Sequence, residues 1–126
     1  MNEKILIVED NEINMKLIKA ILKTKDYILV EAKDGEEALQ AVVRERPDLI
    51  LMDIQIPKID GLEATRRIRK MEELGNTLII ALTAHAMEGD REKILDAGCD
   101  GYIAKPIDTR TFPQEVEAIL AKKRQL

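Results

Sequence analysis

Leu49-Ile50-Leu51-Met52-Asp53 is a run of four large apolar residues closed by a carboxylate. Hydrophobicity that is continuous rather than alternating, over so short a run, is the pattern of a strand covered on both faces, as in a parallel sheet. Pro47 ends the segment before it. The same pattern recurs in both directions: Ile5-Leu6-Ile7-Val8 precedes Glu9-Asp10, Leu78 to Leu82 precedes Thr83, and Tyr102-Ile103-Ala104 precedes Lys105-Pro106. Tyr27 to Glu31 reads as a further strand.

Helical patterns fill the intervals. Leu17, Ile18, Ile21 and Leu22 share one stripe, with Asn14 at its upper end and Ile13 and Met15 off it, near the carboxyl edge of the strands. Asp34 with Glu37, and Asp60 with Glu63, carry a capping-box signature and open helices to about Arg44 and Met71. Gly89 to Ala97 forms a fourth helix, and a terminal one runs towards Lys122. Pro113 disfavours a start at Asp108, so Thr111 as the cap, with Gln114 closing a box, predicts a helix from about Phe112 after an irregular turn. Five β-α units in alternation predict one α/β domain over residues 1–126, with no room for a second.

The charge balance narrows the function. Twenty basic and 24 acidic side chains give a net charge of −4, which argues against a polyanionic partner such as nucleic acid. Arg66, Arg67, Arg69 and Lys70 are interleaved with Glu63, Glu72 and Glu73 and read as a solvated face. Lys122-Lys123-Arg124 reads as a helix end complementing the dipole. One cysteine, Cys99, excludes a disulfide framework or a cysteine-based zinc site, and reads as a small buried residue. No apolar run approaches the roughly 20 residues of a membrane span, and Met1-Asn2-Glu3-Lys4 shows no signal peptide, so a cytoplasmic protein is expected.

Ligands of open α/β sheets bind at the carboxyl ends of the strands. Glu9, Asp10, Asp53, Thr83 and Lys105 follow four different strands there. Asp10 taken alone reads equally well as a helix cap, but three carboxylates in one pocket repel one another and raise one another's pKa. A hard cation relieves this, and magnesium suits a site with few carboxylates, several waters and a phosphate oxygen. Thr83 and Lys105 then supply a hydrogen bond and a charge for an anion beside the metal. That constellation is a phosphoryl-transfer site with an aspartate nucleophile.

Val8-Glu9-Asp10-Asn11, Leu51 to Pro57, Asp60-Gly61-Leu62, Leu82-Thr83-Ala84 and Gly101 to Pro106 resemble the receiver domain of two-component response regulators, across the whole chain and in order. VEDNEINMKL, LILMDIQIP and LTAHAMEGD further resemble single-domain regulators of the DivK type and the receivers of hybrid histidine kinases. The resemblance implies a flavodoxin-like sheet of order 2-1-3-4-5 flanked by five helices. It implies that Asp53 takes a phosphoryl group from a phosphohistidine on a histidine kinase or phosphotransfer protein. By the same resemblance, Asp10, Asp53 and the backbone carbonyl of Gln55 ligate Mg²⁺ and Glu9 reaches it through water. Thr83 and Lys105 then hold the phosphoryl oxygens, and Tyr102 is the switch aromatic. Lys105-Pro106 is expected to be cis. Gln55 and the lone histidine, His85, correspond to positions that tune how fast water reaches the aspartyl phosphate, although His85 also reads as a plain loop residue at the rim.

An enzyme is the competing reading. Phosphatases of the haloacid dehalogenase type place a second aspartate two residues after the nucleophile, where this chain has Gln55, a poor proton donor. A flavin phosphate would be repelled by the three carboxylates, and no dinucleotide fingerprint is present. The expectation is a monomeric signalling module that is not an enzyme and has no output domain. Met1 and the end at Leu126 favour a free-standing protein over a hybrid-kinase fragment. Its signal is expected to leave through the face of the fourth helix, fifth strand and fifth helix, to a protein target.

Overall fold

A helix between successive strands returns the chain to the edge it left, so neighbouring strands run parallel. The structure, a computed structural model, describes residues 2–74, 76–84 and 88–124. Its elements are β1 (Lys4–Val8), α1 (Glu12–Leu22), β2 (Ile28–Ala32), α2 (Gly35–Glu45), β3 (Leu49–Asp53), α3 (Gly61–Arg69), a 3₁₀ turn (Glu72–Leu74), β4 (Leu78–Thr83), α4 (Glu88–Ala97), β5 (Gly101–Ala104) and α5 (Phe112–Arg124). All pairings are parallel, in the order β2-β1-β3-β4-β5. This is the expected flavodoxin-like sheet.

Strand side chains alternate between two helical layers. Leu6 and Val8 of β1 pack with residues of α2, α3 and α4, among them Val42, Ala64, Ile68 and Ile94. Ile5 and Ile7 pack with Ile18 and Leu22 of α1 and Phe112, Val116 and Leu120 of α5. Each such aliphatic side chain contributes about 1.5–3 kcal/mol when fully buried, which is why the central strands are apolar on both faces. Met15, read from the sequence as lying off the apolar stripe, is 5% exposed and belongs to the second layer. Ile13 does remain outside, 77% exposed.

The helix starts follow side-chain capping. Asn11 Oδ1 accepts from the Asn14 backbone N–H at 3.0 Å, Asp34 Oδ1 from Glu37 at 2.9 Å and Asp60 Oδ1 from Glu63 at 2.9 Å. Glu37 reaches back to the Lys33 N–H, whereas Glu63 turns outward to Arg66 and Arg67 and leaves its box half-closed. The α5 helix starts at Phe112 after a turn, with Pro113 in its first turn. The turn is held by Asp108, whose carboxylate accepts from Arg110 and whose carbonyl accepts from Phe112, in place of the expected Thr111–Gln114 box.

Two surface readings change. α3 ends at Arg69, and Arg69 is no solvated residue: it donates to the carbonyls of Gly98 (2.7 Å) and Thr77 (2.6 Å) and to Asp100 Oδ2 (2.8 Å). It thereby ties α3 to the starts of β4 and β5. Lys123 near the end of α5 donates to the Asp48 carbonyl at 3.0 Å rather than only facing its own helix dipole.

The Asp34 cap makes stability depend on pH. The backbone N–H of Glu37 holds the Asp34 carboxyl below its ordinary value, with Lys58 adding to the effect. A carboxyl depressed in the folded state contributes stability that is present above its unfolded pKa and lost as pH falls through the folded one. Urea midpoints of the wild type should therefore fall more steeply below the ordinary carboxylate range than those of Asp34→Asn, which caps without titrating. Parallel curves would show that the cap does not carry this dependence.

Candidate functional site

The register brings the polar residues together. Val8 pairs with Met52, which places Glu9 level with Asp53 on the next strand. Asp53 pairs with Leu82, so Thr83 stands one step further, and Thr83 pairs with Ala104, so Lys105 stands one step beyond that. The site lies where the chain reverses direction across the sheet, between β1 and β3, the topological switch point of the fold.

Glu9, Asp10 and Asp53 each offer a carboxylate oxygen, and these oxygens lie within 4.8 Å of one another. Glu9 and Asp53 are buried and Asp10 is exposed. Lys105 Nζ donates to Glu9 Oε1 and Asp53 Oδ2, both at 2.8 Å. The backbone completes the arrangement: Asn11 N–H donates to Glu9 Oε2 at 3.2 Å, and Gln55 N–H to Asp53 Oδ1 at 3.0 Å. Burial pushes the Glu9 carboxyl up, aided by the charge of Asp53 and only partly opposed by Lys105. For Lys105, burial alone would lower the pKa, but the hydrogen bonds and charges of Asp53 and Glu9 reverse this and raise it. The ammonium therefore stays charged between two carboxylates.

The loop after Asp53 is braced against α2. Gly61 N–H donates to the Ile54 carbonyl at 2.9 Å, and a side chain at Gly61 would overlap the Asp53 carbonyl. At the start of α2, Gly35 donates to the Pro57 carbonyl at 3.3 Å and approaches Ile59 too closely for any side chain. Lys58, at φ 69°, takes the left-handed conformation within this loop and lies 3.6 Å from Asp34 and 3.4 Å from Glu36. These clamps fix the backbone of the loop that follows Asp53.

Thr83 is 4% exposed. With Ile54, Gln55, Leu62, Asp90, Lys93 and Ile94 it lines a cavity of about 120 Å³ beside Asp53. Tyr102 is half-buried on β5, and the Lys105-Pro106 peptide is cis. The structure thus gathers Glu9, Asp10, Asp53, Gln55, Thr83 and Lys105 at one edge. His85 lies outside the described residues. Cys99 is buried, its Sγ 3.8 Å from the Thr65 hydroxyl, and burial raises its thiol pKa. Two residues at or near the site escaped the sequence reading. Asn11 both caps α1 and donates to Glu9, and its asparagine at a helix start was the available signal. Arg91 lies over Tyr102, and nothing in the local sequence marks it.

A buried aspartate beside two further carboxylates and an ammonium, at the switch point of a doubly wound sheet, is an arrangement that can accept a phosphoryl group. The receiver domain family of response regulators matches residues 5–117. A polar-differentiation response regulator DivK from Brucella anthropi is 43% identical over 120 residues, spanning 95% of this chain and 98% of its own. The receiver domain of sensor histidine kinase PA1611 from Pseudomonas aeruginosa PAO1, solved with a magnesium ion coordinated in its active-site cleft, superposes with a TM-score of 0.84 at 42% identity over 97% of each chain. The receiver domain of a Francisella response regulator gives 0.88 at 26% identity, over 97% of this chain and 99% of its own. The chain belongs to the response regulator receiver domain family. Its function is that of a phosphorylation-dependent receiver in two-component signalling. Among the described residues, no helix is long and apolar enough to cross a membrane.

Proposed function

We propose that Asp53 accepts a phosphoryl group from a phosphohistidine of a histidine kinase or phosphotransfer protein. The observation that carries this reading is the shared ammonium: Lys105 Nζ stands 2.8 Å from both Asp53 and Glu9, where a transferred phosphoryl group would need a fixed positive charge. In the transfer, an oxygen of the Asp53 carboxylate forms the new bond to phosphorus. The bond from phosphorus to the imidazole nitrogen breaks, and the imidazole takes up a proton from solvent. Lys105 and the Thr83 hydroxyl then bind the phosphoryl oxygens. Slow hydrolysis of the acyl phosphate ends the signal, with Gln55 and His85 tuning its rate, so the protein is a phosphoacceptor rather than an enzyme with turnover on a separate substrate.

The donor set suits Mg²⁺: hard oxygen ligands, few carboxylates, and an exposed Asp10 that leaves room for water. Asp10, Asp53 and the Gln55 carbonyl would hold the ion. Glu9, already engaged by Lys105 and the Asn11 N–H, would reach it through water. The metal supplies charge neutralisation for the entering phosphoryl group.

The phosphodonor would dock where Asn14, Leu17, Ala84, Lys105, Pro106 and Ile107 line a groove of about 280 Å³ opening beside Lys105. Exposed Ile13 lies one residue from its rim. The signal would leave through α4, β5 and α5, where Thr83 and Tyr102 couple the site to the surface, towards a protein target. We infer that the domain acts as a monomer in the cytoplasm, with changed protein binding as the output.

The test is phosphorylation by acetyl phosphate with Mg²⁺, followed by peptide mapping of the acid-labile adduct. The adduct should lie on the peptide holding Asp53, and another location would refute the assignment. Asp10→Asn should bind Mg²⁺ about tenfold more weakly, because one carboxylate ligand becomes neutral. An unchanged Mg²⁺ titration would remove Asp10 from the metal set.

A further inference from the structure

Tyr102 packs against the core layer that contains Ile94 of α4. The guanidinium of Arg91 stands over its ring, with Cζ 5.5 Å from the ring centroid. Arg91 precedes Ile94 by one helical turn, and Ile94 is 1% exposed. The i, i+3 spacing stacks the two on the side of α4 turned towards the sheet. Asp90, Lys93 and Ile94 line the cavity they share with Thr83. One turn of α4 therefore lines the cavity at Thr83 and also lies over the aromatic on β5.

We propose that Arg91 is a positioning residue that holds Tyr102 in its resting arrangement and so sets how readily phosphorylation releases it. This rests on Asp53 being the phosphoacceptor and Tyr102 the switch aromatic. The ring face is electrically negative and attracts the guanidinium. At exposed sites such a contact biases an equilibrium by roughly twofold to fivefold. A bias of that kind acts only through its difference between the two ring positions, and the stacking of Arg91 on Tyr102 is assigned to the resting one. By linkage, whatever stabilises the resting ring weakens the binding of any ligand that favours the released one.

The experiment titrates beryllofluoride, which mimics an acyl phosphate on an aspartate, into the full chain with Mg²⁺. Arg91→Ala should bind it about twofold to fivefold more tightly than the wild type, with Arg91→Lys in between. Plain electrostatics gives the opposite sign, because deleting a cation weakens the binding of an anion. In a Tyr102→Leu background, Arg91→Ala should have no further effect. By NMR, the ring resonances of Tyr102 in unliganded Arg91→Ala should move towards their beryllofluoride-bound positions. Equal or weaker affinity in Arg91→Ala overturns the proposal, as does equal tightening in the Tyr102→Leu background or an unmoved Tyr102 ring. A wild type that takes up no beryllofluoride overturns the phosphoacceptor reading itself, and this inference with it.

Discussion

Asp53→Asn should lower acyl-phosphate formation by at least about a thousandfold, the scale expected when a covalent nucleophile is lost. The amide is nearly isosteric with the carboxylate, but its oxygen is a poor nucleophile. The fold should survive because the substitution removes two opposed terms. It deletes the Asp53–Lys105 ion pair, and it also relieves repulsion within a group of three carboxylates whose oxygens lie within 4.8 Å. Lys105 keeps Glu9 as a partner, and an amide oxygen can still accept from the Gln55 N–H. The net stability change should stay within about 1 kcal/mol. Intact-mass measurement after acetyl phosphate treatment reads the first quantity, and urea unfolding the second. A full acid-labile adduct on the Asp53→Asn variant would remove Asp53 from the mechanism.

The residues of this site were legible for a simple reason. Each ends or follows a short apolar run, and a parallel sheet puts the carboxyl ends of all its strands on one edge. Once the runs ending at Val8, Met52, Leu82 and Ala104 are read as parallel strands, Glu9, Asp53, Thr83 and Lys105 must converge. The backbone register then decides who is level with whom, and the pairing of Val8 with Met52 sets Glu9 beside Asp53.

What escaped the sequence depended on contacts between distant segments. Met15 sits in the first helical turns, where two stripes are nearly equivalent until the layer above β1 is known, and it packs inward against that layer. Arg69 looks like one more charge in a mixed run. Its partners Thr77, Gly98 and Asp100 come from the two connections that lead into β4 and β5, brought together only when those strands pair. The start of α5 was predictable from the ring of Pro113, but the group that holds the turn was not. Asp108 competes with Thr111 for that task, and local spacing permits either. Arg91 is the extreme case, since its meaning arises only from the packing of α4 on β5.

Lys105→Ala should separate two properties that the wild type combines, weakening phosphorylation while tightening Mg²⁺ binding. In the structure the ammonium bonds the same carboxylates that a divalent cation would neutralise, at 2.8 Å from Glu9 and from Asp53. Unit charges about 4 Å apart interact by roughly 4 kcal/mol at an effective dielectric near 20. A third of that, left after screening, already corresponds to about a tenfold gain in Mg²⁺ affinity. Without the metal the variant should be less stable, because Glu9, 1% exposed, loses its cationic partner. Breaking a buried pair costs about 3–5 kcal/mol in full, but Glu9 limits this by taking up a proton, for which burial has already prepared it. The sign follows. A carboxyl raised in the folded state contributes stability below its unfolded pKa, and loses it as pH rises through the folded one. The variant should therefore lie close to the wild type in mild acid and fall behind it towards neutral pH, and Mg²⁺ should restore much of the difference. Calorimetric Mg²⁺ titration and urea unfolding across that range measure both. Weaker Mg²⁺ binding by Lys105→Ala would show that the ammonium organises the carboxylates for the metal instead of competing with it.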